Sequence, residues 1–156
     1  MIFIRKKKPT LLKNFIWFVL VVINQSHLAK KSKGRGSGFQ TAILAQLAKK
    51  VYTIEVYPEL SKKAQKLLNK LGYQNIKYKL GDGKLGWQEF APFDKIIVTA
   101  AASEIPSLLV EQLKTDGKMI LPLETNRQQY LVLLRKLVDN RVELKKLVPV
   151  RFVALG

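Results

Sequence analysis

Three glycines in Gly34-Arg-Gly-Ser-Gly38 stand directly before a helix pattern, and Glu55 ends a β-branched run 21 residues after the first of them. Glycines at i, i+2 and i+4 let the backbone approach a bound group and turn free N–H donors toward it. Alone, such a stretch reads equally well as a flexible linker. An acid at the end of the next strand narrows the choice, because there a carboxylate can accept the ribose hydroxyls of an adenosine ligand. The alternative for Glu55 is a plain surface carboxylate. Asp82, in Gly81-Asp-Gly83 at the end of the following strand, is placed to meet an adenine amino group, or else is an ordinary Asp-Gly turn.

From Gly34 onward, helix and strand patterns alternate. Phe39 to Lys49 sets Phe39, Ala42, Ile43 and Leu47 on one helical face, and Val51 to Val56 reads as a strand. Pro58 opens a second helix through Leu71, with Leu60, Ala64, Leu67, Leu68 and Leu71 as its core stripe and Gly72 as its stop. Ile76 to Leu80 is the next strand, and Phe93 to Val98 is the unbroken apolar run expected in a buried parallel sheet. A short helix over Pro106 to Leu113 precedes strands at Lys118 to Leu121, Tyr130 to Arg135 and Val142 to Leu147. Asp139-Asn140 suits a hairpin turn between the last two, and Val148 to Leu155 is expected to pair or pack nearby. The fold class expected is α/β, a doubly wound Rossmann-like sheet with a C-terminal antiparallel hairpin.

Residues 1 to 33 differ from the rest. Residues 1 to 36 hold nine basic side chains and no acid, out of 28 Lys+Arg and 11 Asp+Glu in the whole chain. The net charge of +17 predicts weak attraction to polyanions at low salt, without a base-reading element for specific nucleic acid. Lys62, Lys63, Lys66 and Lys70 read as a solvated helix face. Phe15 to Ile23 is nine apolar residues long, short of the ~20 that cross a bilayer as a helix. It reads as a buried strand or the hydrophobic side of a replaced N-terminal element, as the apolar part of a secretory signal, as an unstructured remnant or as a membrane-associated segment. With no cysteine and a single histidine, His27, neither thiolate chemistry nor a metal site is expected.

Five segments together carry a resemblance: Gly36-Ser-Gly-Phe-Gln-Thr-Ala-Ile-Leu-Ala45, Val51-Tyr-Thr-Ile-Glu55, Gly81-Asp-Gly-Lys-Leu-Gly-Trp87, Phe93 to Ala102 and Pro149-Val-Arg-Phe-Val153. Over residues 34 to 156 the chain resembles protein-L-isoaspartate O-methyltransferases. The resemblance implies an S-adenosylmethionine-dependent enzyme that methylates the α-carboxyl group of isoaspartyl residues in damaged proteins, the first step of their repair. It implies cofactor binding by Gly34, Gly36, Gly38, Glu55, Asp82 and Gly83, with Thr99, Ala100 and Ala101 lining the reaction site. Val150, Arg151, Phe152 and Val153 would hold the substrate chain. Isoaspartyl proteins and peptides are the expected partners of a cytoplasmic monomer.

The family's N-terminal helical segment, and the strand that runs into its glycine loop, are not legible here. Ser32 takes the place of an acid, flanked by Lys31 and Lys33, and Arg35 replaces a small hydroxyl residue. Positive charge there opposes a sulfonium and an ammonium. Two domain-level parts follow, a divergent segment 1–33 and an incomplete methyltransferase-like domain 34–156, with no clear first strand before Gly34. The alternative function is a truncated, inactive remnant without cofactor binding.

Overall fold

Apolar runs long enough to be covered on both faces set the sheet of this chain. The computed structural model describes residues 1–6 and 38–152. Its strands are β1 (Ile2–Lys6), β2 (Ala48–Glu55), β3 (Ile76–Leu80), β4 (Phe93–Ile97), β5 (Leu113–Thr125), β6 (Gln128–Lys136) and β7 (Val142–Val150). They form one mixed sheet in the order β3-β2-β1-β4-β5-β6-β7. The helices are α1 (Phe39–Leu47), α2 (Pro58–Lys70) and α3 (Ser107–Glu111). By internal contacts the chain divides into Ile4–Asp82 and a second unit of Met1–Phe3 with Gly83–Gly156.

The place between β2 and β4 is taken by Ile2–Lys6, a strand inside the divergent segment 1–33. Ile2, Phe3 and Ile4 are buried, so consecutive residues are covered on both faces. Phe15 to Ile23, for which a buried strand is one reading, lies outside the described residues.

Within Ile4–Asp82, β2 and β3 pair in parallel from Val51↔Ile76 to Glu55↔Leu80. Asn75 ties the end of α1 to the start of β3, its amide donating to the carbonyls of Ala45 (2.7 Å) and Ala48 (3.1 Å). The face of α1 differs from expectation. Gln40, Thr41, Leu44 and Ala45 are buried, whereas Phe39 is exposed and Ala42, Ile43 and Leu47 are only half-buried. A nine-residue helix with apolar residues all round offers no strong face, and contact with its neighbours chooses the orientation. The expected stripe of α2 also narrows to Leu68, with Leu67 and Leu71 exposed and Leu60 and Ala64 half-buried. Gly72 ends α2 at φ +82°, as a C′ glycine should. The Tyr78 hydroxyl on β3 is buried and has no hydrogen-bond partner among the described residues, and its desolvation raises its pKa from the ordinary tyrosine value.

In the second unit, β4 pairs with β5 in parallel, and β5, β6 and β7 are successively antiparallel. The antiparallel part therefore exceeds the single hairpin expected. Both hairpins use two residues at positive φ, Asn126-Arg127 and Asp139-Asn140, whose twist matches that of the strands. Lys136, buried on β6, donates from Nζ to the carbonyls of Glu111 (3.1 Å) and Leu113 (2.9 Å) around the end of α3. Lys136→Met keeps the volume but removes that donor. It is expected to lower stability by about 1–3 kcal/mol, the cost of stranding buried carbonyls. The urea midpoint should fall at constant m value, and an unchanged midpoint would show the two bonds to be dispensable.

Candidate functional site

Parallel pairing brings the two acids proposed for an adenosine ligand to adjacent strand ends. Glu55 is the last residue of β2 and lies in register with Leu80, the last residue of β3. The Gly81 N–H donates to the Glu55 carbonyl at 3.1 Å, fastening the start of the Gly81-Asp82-Gly83 turn to the end of β2. Asp82 is exposed on that turn.

The half-buried Glu55 side chain holds its own turn. Its Oε1 accepts the backbone N–H groups of Val56 (2.9 Å) and Tyr57 (3.1 Å), so a ribose hydroxyl would be met mainly by Oε2. Apolar residues not expected from sequence lie around this carboxylate. Val56, Tyr57 and Leu80 are 58%, 63% and 54% exposed, large for side chains of their kind. A few polar groups among exposed apolar ones is the make-up of a small-molecule site. Their signal was the Val-Tyr pair directly after the acid.

Gly38 is placed differently. It stands at the N-cap of α1 with φ +75°, and a Cβ there would approach Leu68 Cδ1 to 3.0 Å and Ala64 Cβ to 3.3 Å. Close packing on α2 therefore already requires a glycine, whatever Gly38 does for a ligand. Gly34 and Gly36 lie outside the described residues. Gly83 opens a short turn, and its α-carbon faces the Met1 side chain, to which a Cβ would come within 3.2 Å.

In the second unit, register gathers the remaining residues at one end. Ala102 bridges Leu123 in parallel, Leu123 pairs with Tyr130, and Tyr130 with Pro149, a single row across the strands. Thr99 to Ala101 immediately precede this row on one side, and Val150 follows it on the other. Thr99 and Ala100 are half-buried and Ala101 is buried, leaving the first two accessible. Beyond β7, Phe152 donates its N–H to Gln129 Oε1 (2.6 Å) and accepts from Gln129 Nε2 (3.2 Å), so a side-chain amide extends the ladder. Arg151 is exposed, and Val153 lies outside the described residues.

The family model for protein-L-isoaspartate(D-aspartate) O-methyltransferase matches residues 22–156. A protein-L-isoaspartate O-methyltransferase 1 of Nitrosospira multiformis is 47% identical over 144 residues, covering 87% of this chain and 61% of that protein. One from Dictyoglomus turgidum is 53% identical over 122 residues, covering 78% of this chain and 55% of that protein. The chain thus spans 61% and 55% of the length of these two relatives. A solved protein-L-isoaspartate O-methyltransferase superposes with TM-score 0.73 at 29% identity, over 79% of this chain and 40% of that one. A Plasmodium falciparum structure described as a beta-aspartate methyltransferase in complex with S-adenosyl-L-homocysteine gives TM-score 0.59 at 28% identity, over 67% and 51%. By its sequence and its fold, the chain belongs to the protein-L-isoaspartate(D-aspartate) O-methyltransferase family.

Proposed function

We propose that this chain methylates the α-carboxyl group of L-isoaspartyl residues in damaged proteins and peptides, using S-adenosylmethionine. The observation that carries the reading is Glu55, an acid at a strand end with one oxygen committed to its own turn and apolar residues exposed around it. That combination fits the adenosine part of the cofactor: Oε2 for the ribose, Val56, Tyr57 and Leu80 for the base, and Asp82 with Gly83 for its polar edge. Gly34, Gly36 and Gly38 are assigned to the methionine part.

When bound, S-adenosylmethionine supplies an activated methyl group on a sulfonium. The accepting carboxylate is already ionised at neutral pH, so the chain needs no strong general base and contributes chiefly by positioning. Thr99, Ala100 and Ala101 are assigned to the reaction site, where small side chains leave room for the carboxylate. Val150, Arg151, Phe152 and Val153 are assigned to the substrate backbone, next to a strand whose ladder Gln129 already extends. A cytoplasmic monomer acting on proteins, without specific nucleic acid, completes the reading. Among the described residues no helix is long and apolar enough to cross a membrane.

Calorimetric titration with S-adenosylmethionine tests this. Glu55→Ala is expected to weaken binding by roughly 1–3 kcal/mol, about 5- to 150-fold. Glu55→Gln retains an oxygen for the Val56 and Tyr57 N–H groups and should lose less, separating the turn from the ligand contact. If the folded chain binds no S-adenosylmethionine, the proposed activity is wrong and only the ancestry stands.

A further inference from the structure

Gln112 is a polar side chain buried to 3% exposure at the end of α3, and it grips a neighbouring turn with both ends of its amide. Its Oε1 accepts the backbone N–H of Trp87 at 2.7 Å, and its Nε2 donates to the carbonyl of Leu85 at 2.9 Å. The turn begins at Gly83, whose carbonyl accepts the Gly86 N–H at 3.0 Å. Gly86 itself is buried at φ +64°, and a Cβ there would lie 2.6 Å from Gln112 Nε2. Only glycine lets the amide come so close. The backbone carbonyl of Gln112 also accepts the Phe93 N–H at 2.8 Å, so the grip is anchored to the start of β4.

We propose that Gln112 is a positioning residue for the nucleoside end of the cofactor site, acting through the Gly83–Trp87 turn. This rests on the function proposed above, in which Gly83 touches the cofactor. Gln112 itself is buried, and its amide is spent on the turn. An amide is suited to the task because it holds an acceptor oxygen and a donor nitrogen in a fixed plane, matching one N–H and one carbonyl of the same turn. With Met1 packed against Gly83 and Gln112 holding Leu85 and Trp87, the turn is set before any ligand arrives.

The test combines amide hydrogen exchange at Gly86 and Trp87 with calorimetric titration of S-adenosyl-L-homocysteine. Gln112→Leu should speed exchange of those two amides relative to Ile120 and Leu121, and weaken binding about tenfold. Gln112→Glu supplies a switchable version within one folded protein. Burial at this position raises the carboxyl above the ordinary glutamate range, so the acceptor-only carboxylate present at pH 8 cannot donate to the Leu85 carbonyl, and lowering the pH to 5 favours the acid, which can. Binding by Gln112→Glu should therefore recover as pH falls, against wild type measured at the same two values. Faster amide exchange with unchanged affinity overturns the positioning role, as does unchanged exchange in both variants. If wild type protects both amides yet binds no S-adenosyl-L-homocysteine, the proposed function has failed and the positioning role falls with it. If wild type binds and the variants bind equally well, only the positioning role has failed.

Discussion

Phe3→Ala should lower the free energy of unfolding by about 3–5 kcal/mol, the range for truncating a buried phenylalanine. Phe3 is fully buried, and its ring centroid lies 4.6 Å from that of Phe93, itself fully buried, at a tilt of 41°. Truncation removes this aromatic contact and leaves a cavity under β4 that the surrounding chain can close only in part. Against the roughly 5–15 kcal/mol that holds a domain together, such a loss is a third or more of the total. Phe3→Leu keeps most of the apolar volume and should cost clearly less. Urea unfolding followed by circular dichroism would show a lower midpoint with an unchanged slope. A midpoint within experimental error of wild type would mean that Ile2–Lys6 does not hold its place in the sheet. The variant thus tests the one strand among the described residues that could not be read from sequence.

Why that strand escaped notice is a matter of what local pattern can specify. β2, β3 and β4 are legible because each is a run of apolar or β-branched residues bounded by a helix signal or a glycine turn. Ile2-Phe-Ile4 is a three-residue apolar run followed by lysines and arginine, too short to show a period. Its structure comes from pairing with strands distant in the chain. The same limit explains the helices: their existence followed from Gly38, Pro58 and Gly72, but which face they bury is fixed by tertiary contact, so Phe39, Leu67 and Leu71 are exposed against expectation. At the candidate site the acids Glu55 and Asp82 were legible through spacing along a βα pattern. Gln112 was not, because nothing in a sequence marks which glutamine turns inward to hold a backbone turn.

Gly86→Ala is the second large effect expected, about 2–6 kcal/mol of lost stability from two sources. A left-handed backbone at φ +64° costs an L-residue about 1–3 kcal/mol where no local hydrogen bond compensates. The added methyl also runs into the Gln112 amide, 2.7 Å from Cδ, and overpacking of this kind costs about 1–3 kcal/mol. Gln112 has no solvent to move into, and displacing it breaks its bonds to Leu85 and Trp87. The two sources separate in a double-mutant cycle with Gln112→Ala, which removes the obstructing amide but leaves the backbone angle. If the clash is real, the double variant should be less destabilised than the sum of the singles, by about 0.5–3 kcal/mol. Additive costs would instead assign the whole penalty to the backbone. The glycine would then serve the turn's geometry alone, and close approach of the Gln112 amide would not be what excludes a side chain at position 86.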